Sequence, residues 1–229
     1  MTRAEQERRR TGSARARPGA KRDRILDVAT DYFGRHGYEE TKWADVADAV
    51  GIGSTALYHY FDSKQHCLYE IMSRAIGRVR ERFDRIVADH MDWTDALVEL
   101  LVAAFDLGDT DVLEHRVLLA EHGRVGIRRA LPREEAARED ARSKKRQLES
   151  DWAAFLARGM QEGALPQNDP QLLARVVLGL YNSVWSWYRP GGAIGIDDVG
   201  RFFVSRELAL LGCDPQLAAG RFPAATARG

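Results

Sequence analysis

From residue 21 onward apolar side chains recur every three or four positions, and no stretch alternates long enough to suggest a strand. The stripe Ile25, Leu26, Ala29, Tyr32 and Phe33 predicts a first helix over 21–36, closed by Gly37. Thr41 is a suitable cap for a second helix that stops at Gly51. A short third helix over 54–60 is broken by Phe61-Asp62-Ser63, and Ser63 can cap a long fourth helix over 64–90. A fifth over 94–107 turns Leu97, Leu100, Leu101, Ala104 and Phe105 inward, and a sixth covers 111–122. Pro132 opens a seventh reaching to 162, whose first half is almost wholly charged and predicts a solvated face. An eighth runs from Asp169-Pro170 to about 188, and a ninth over 196–211. The fold class is therefore all-α: a three-helix N-terminal unit followed by a larger helical domain, about nine helices in total.

Ends and composition refine the division. Residues 1–20 are polar, Arg-rich and hold Pro18-Gly19, so they predict a disordered basic arm. The first unit then spans 21–65, the larger domain 66–213, and residues 214–229, rich in Ala, Gly and Pro, predict a flexible tail. Hydrophobic residues make up 45% and charged residues 30%, which suits an ordinary globular protein. No apolar run reaches membrane-spanning length and no signal-peptide h-region opens the chain, so no membrane partner and a cytoplasmic location are expected. The formal net charge is zero, but its distribution is uneven: residues 1–22 carry eight basic groups against two acids, residues 23–64 four against eight. The arm is thus either a solvated tail or a source of phosphate and minor-groove contacts.

The stretch 43–62 has helix-turn-helix spacing. Ala47 is small where two helices must touch, Gly51 four residues on can take a positive φ, and Leu57 points back into the angle between them. Val46, Val50, Ile52 and Phe61 complete a miniature core. That leaves Ser54, Thr55, Tyr58 and His59 facing outward on the third helix, a set suited to a major groove. Lys64, at the start of the fourth helix, and Lys42 are candidate phosphate contacts, and Thr41 and Tyr60 flank the same surface. Double-stranded operator DNA is the expected partner.

These residues resemble the TetR family of bacterial repressors. The matching text is Ile25–Ala29 with Phe33, Gly37-Tyr38, Thr41, Asp45-Val46-Ala47, Gly51-Ile52, Ala56–Phe61 and Ser63-Lys64. The Leu-Tyr-x-x-Phe-x-x-Lys string behind an Ala-x-x-x-Gly turn is its most specific part. The resemblance implies a dimer whose two recognition helices enter successive major grooves of a near-palindromic site. Three positions depart from the family pattern: Gly53 stands where a Ser cap is usual, Lys42 where Thr is common, and Trp43 where a small aliphatic is usual.

The eighth and ninth helices are too apolar for a free surface, with Val199, Phe202, Phe203, Leu208, Leu210 and Leu211 on the latter, and are expected to pair two chains into a homodimer. Tyr181-Asn182-Ser183 and Trp187–Gly192 look like the family branch that includes acyl-CoA-responsive regulators of fatty-acid and steroid catabolism. That likeness implies a small effector, either acyl-CoA-like or simply hydrophobic. Its candidate pocket is Leu101, Phe105, His115, Leu118, Leu119, Trp152, Phe155, Tyr181, Asn182 and Trp185. The expected reading is a repressor that the effector releases from DNA; an activator or a regulator without an effector is the alternative.

Other classes fare poorly. No nucleophile–base pair, paired carboxylates or metal cluster stands out, so neither an enzyme nor a resident cofactor or metal is expected. His115 and His122 lie seven apart, too far for chelation on one helix. Cys67 and Cys213 do not make a disulfide framework, which leaves a redox sensor as a remote reading.

Overall fold

The computed structural model describes residues 18–223. Among them are nine α-helices and no strand: α1 (Pro18–His36), α2 (Trp43–Val50), α3 (Ser54–Leu57), α4 (Lys64–Asp89), α5 (Trp93–Ala103), α6 (Asp109–Glu121), α7 (Pro132–Gln161), α8 (Pro170–Trp187) and α9 (Ile196–Leu211). Two short 3-10 turns, His122–Gly126 and Pro215–Ala218, complete the set. The arm expected over 1–20 lies mostly outside the described residues. Its last three belong to α1, which starts at Pro18 because a proline ring is preset for a first helical turn.

Two apolar cores organise the chain. The N-terminal core gathers Ile25, Leu26, Ala29 and Phe33 of α1, Val46, Ala47 and Val50 of α2, Leu57, Phe61, and the first half of α4 through Met72. The second core is built on Phe83 and Ile86 of α4, the inner faces of α5, α8 and α9, and Trp152, Phe155 and Leu156 of α7. Helix α4 therefore contributes to both. It is capped by Ser63, whose side chain accepts from the His66 amide. Gly51 closes α2 with φ 75°, a left-handed conformation that strains any residue bearing a Cβ.

Several expectations change. Thr41 does not cap α2; Lys42 occupies the cap position, and the buried Thr41 hydroxyl donates to Gly37 O at 2.8 Å at the end of α1. Helix α5 ends at Ala103, ahead of the expected 107, as Phe105 N and Asp106 N switch to i–3 acceptors; Phe105 is buried in the following turn. Helix α3 ends at Leu57, with tighter turns carrying the chain to Tyr60. The charged half of α7 is not simply solvated. Arg138 and Glu134 are 2% and 6% exposed, and the Arg138 guanidinium is held by Val125 O, Glu135 and Glu139. The segment after Cys213, expected to be loose, packs on the second core through Ala218 and Phe222.

Helix α1 crosses α6 at Gly34, where an added Cβ would lie 2.7 Å from Leu113 Cβ and 3.0 Å from its carbonyl oxygen. Backbone as well as side chain would have to yield. Gly34→Ala is expected to lower stability by about 1–3 kcal/mol, the usual cost of overpacking, read as a drop in melting temperature; an unchanged melt would refute the tight crossing.

Candidate functional site

The outer face of α3 is the first site. Ser54, Thr55, Tyr58 and His59 are all exposed, Tyr58 by 55%, while Leu57 between them is sealed in the core. Leu57 anchors the short helix, Ser54 and Thr55 project outward by helical geometry, and Tyr58 and His59 do so from the tighter turns that follow. Tyr60 is half-buried and its carbonyl accepts from Arg133 of α7 at 2.8 Å. Lys42 is exposed at the start of α2, and Trp43 packs edge-on against Phe61 at 6.3 Å between ring centres.

Two residues expected at this surface serve other ends. Thr41 is 3% exposed and its hydroxyl is turned toward the end of α1. The Lys64 ammonium donates to Tyr38 O at 2.6 Å and Thr41 O at 2.9 Å, and sits 4.2 Å from the Tyr38 ring centre. It ties the α1–α2 loop to α4. Sequence spacing could not show these carbonyl acceptors, because backbone positions come from the fold and not from residue type.

The head is clamped from behind by α7. Arg133 pairs with Asp62 at 2.7 Å, and the Ser63 hydroxyl donates to Glu134 Oε2 at 2.7 Å. Further along α7, Asp140 takes hydrogen bonds from Lys144 at 2.8 Å and from Ser73 of α4. On the far side, Arg78 of α4 pairs with the buried Glu114 of α6.

The second site is a chamber inside the larger domain. Its main compartment, about 300 Å³, is walled by Met72 and Ile76 of α4, Leu118 and Leu119 of α6, Ala141 and Leu148 of α7, and Leu178 and Asn182 of α8. Lys145 and Glu149 of α7 stand beside it. A smaller compartment of about 90 Å³ lies among Phe83, Leu101, Trp152, Val177 and Glu207. Val79, His115, Leu178 and Tyr181 border both. Of the ten expected pocket residues, Leu101, His115, Leu118, Leu119, Trp152, Tyr181 and Asn182 meet here. Phe105, Phe155 and Trp185 stand behind the lining. Phe155 stacks on Trp93 at 5.1 Å, and Phe105 meets Tyr181 edge-on at 5.6 Å.

Glu207 escaped the sequence reading. It lies among the buried positions Val204, Leu208 and Leu211 of α9, so an acid on an apolar stripe was its signal. It is 1% exposed, its Oε1 has no hydrogen-bond partner among the described residues, and burial pushes its pKa up to about 8. His115 is buried too; burial lowers its pKa, and its Nδ1 lies 2.7 Å from Asp111 O. Burial likewise pushes up the Tyr181 phenol and the Cys67 and Cys213 thiols. Thiols held in the protonated form are poor nucleophiles, which argues against a redox sensor. Among the described residues no group of His, Cys, Asp and Glu is placed to hold a metal, and no helix is long and apolar enough to cross a membrane.

Residues 25–71 match the family described as "Bacterial regulatory proteins, tetR family", and residues 111–211 match "Tetracyclin repressor-like, C-terminal domain". The transcriptional repressor KstR2 of Rhodococcus jostii is 29% identical over 195 residues, 81% of this chain and 88% of the relative. The solved ketosteroid transcriptional regulator KstR2 of Mycobacterium tuberculosis superposes with a TM-score of 0.69 at 25% identity, covering 87% of this chain and 97% of that one. AibR, solved in complex with isovaleryl coenzyme A and operator DNA, shares the fold with a TM-score of 0.68 at 20% identity, covering 81% and 97%. These similar proteins are regulators of transcription, not enzymes.

The buried acid has a pH signature. In the unfolded chain Glu207 ionises near the ordinary value of 4.5, in the folded chain near 8. Between these values the folded state binds more protons, so stability falls as pH rises through that window, by on the order of a few kcal/mol. Glu207→Leu is expected to remove this slope and to melt higher than wild type at pH 8. Parallel stability curves for the two proteins would show that the carboxyl is not buried in its neutral form.

Proposed function

We propose, from the premise that this chain belongs to the TetR family of bacterial transcriptional regulators, that it represses transcription as a dimer on a near-palindromic operator and is released by a small hydrophobic effector. The observation that carries the reading is the pairing of the two sites through shared helices. Helices α4 and α7 wall the chamber with Met72, Ile76, Ala141 and Leu148, and the same two helices hold the DNA-reading head at Ser63, Arg133 and Glu134. A ligand that sets the spacing of α4 and α7 also sets the pose of α3. Tenfold release from DNA needs only about 1.4 kcal/mol of differential binding between the two poses.

Operator contact falls to Thr55, Tyr58 and His59 for base edges, with Ser54 beside them and Lys42 for phosphate. Two such heads must sit about 34–36 Å apart to enter successive grooves. The dimer contact falls to α8 and α9, where Leu172, Val176, Trp187, Phe202 and Leu210 are 40–56% exposed in the single chain. That much apolar surface on two adjacent helices is costly to leave in water.

The effector's apolar part occupies the chamber. A free hydrophobic molecule fits this reading, and so does an acyl thioester whose acyl part enters while its carrier stays outside near Lys145. The names of similar proteins support a lipid-like class: KstR2 is called a ketosteroid regulator, and AibR was solved with isovaleryl coenzyme A.

Gel shifts on duplexes selected by the protein from a random library test the DNA reading. Tyr58→Ala and His59→Ala are each expected to cost about 1–3 kcal/mol of operator affinity and to relax sequence preference. Lys42→Ala is expected to weaken all duplexes alike and to lower the salt slope by about one. Wild-type binding by both the Tyr58 and the His59 variant would overturn the assignment. For the dimer, sedimentation of Phe202→Glu and Leu210→Glu is expected to show monomers that remain folded and lose operator binding; intact dimers would move the interface elsewhere.

A further inference from the structure

The chamber's smaller compartment contains two polar atoms with nothing to bind. Glu207 Oε1 and His115 Nε2 are both buried and without a partner among the described residues, and both residues line that compartment. Buried polar atoms without partners are rare in folded proteins, because each forfeits its hydration without recovering a hydrogen bond. Two of them on the wall of one apolar cavity mark the place where a ligand's polar group belongs.

Their chemistry is complementary. His115 Nδ1 faces the Asp111 carbonyl oxygen, which can only accept, so Nδ1 carries the proton and Nε2 presents a lone pair. Among the described residues Glu207 faces no cation free to neutralise it. Arg82, which also lines the compartment, donates to Asp106 O at 3.1 Å and to its carboxylate at 3.0 Å. Burial keeps the Glu207 carboxyl protonated at neutral pH, so it offers an O–H.

Building on the effector reading above, we propose that Glu207 and His115 together recognise an uncharged hydroxyl group on an otherwise apolar effector. The ligand oxygen accepts from the Glu207 carboxyl, and the ligand O–H donates to His115 Nε2. Apolar side chains such as Phe83, Leu101 and Trp152 surround the adjoining carbons. A carboxylate ligand is disfavoured, because it would bring a second acid beside Glu207 with the nearby guanidinium already engaged.

Three chains of equal length test this on the full-length protein by tryptophan fluorescence and calorimetry at pH 7: octane, octan-1-ol and octanoate. Octan-1-ol is expected to bind at least tenfold more tightly than octane, a difference of about 1.4 kcal/mol, and more tightly than octanoate. In Glu207→Leu and in His115→Phe the alcohol's advantage over the alkane is expected to shrink to threefold or less. In Glu207→Gln it is expected to persist, because the amide still donates. Equal binding of octane and octan-1-ol by wild type, or an advantage untouched in both Glu207→Leu and His115→Phe, would overturn the hydroxyl site and leave the chamber reading intact. Failure of all three chains to bind would overturn the chamber reading itself.

Discussion

Helix α4 belongs to two cores at once. Cys67, Leu68, Ile71 and Met72 are sealed in the head, and Phe83 and Ile86 in the body, with one unbroken hydrogen-bonded rod between them. A helix of 26 residues passes a shift at one end along its length, because sharp kinks arise only where a proline, a glycine–serine pair, a bulge or an inserted group interrupts its backbone bonds. No proline occurs between Lys64 and Asp89. Head and body are therefore mechanically joined before any ligand or DNA is considered. The chamber wall at Met72, Ile76 and Val79 lies midway along the rod.

The second tie, α7, also reaches the head core, with Ala141 sealed inside it and Ala137 packed against it. Its polar contacts there run from Arg133 to Asp62 and to Tyr60 O and from Ser63 to Glu134, with Arg138 drawing in the Val125 carbonyl. The exposed Arg133–Asp62 pair is individually weak, whereas Glu134 and Arg138 are buried and costly to leave unpaired. Two helices thus link the same head to the body, each through apolar packing and polar contacts together.

The head was legible in the sequence because its rules are local. Ala47, Gly51 and Leu57 fix the turn by size and backbone conformation, and the outward residues of α3 follow from helical geometry. The chamber was legible in part, since seven of its residues lay on apolar faces of the helices expected to enclose it. What stayed hidden depends on partners distant in sequence. Lys64 could not be seen to bind the carbonyl oxygens of residues 38 and 41, nor Thr41 to turn inward. The charge run opening α7 resembled a solvated face, because charge density carries no record of which members find buried acceptors. Glu207 was passed over among apolar neighbours, although an acid in that company was itself the anomaly.

The close crossing of α1 and α6 at Gly34 has an evolutionary corollary. Leu113 leaves no room there for even a methyl group, so that position is closed to drift. Thr55, Tyr58 and His59 touch little of their own fold, and exchanging them costs it almost nothing. If these side chains read an operator, as proposed, descendants of this chain are free to acquire new target sequences while inheriting the same internal linkage unchanged.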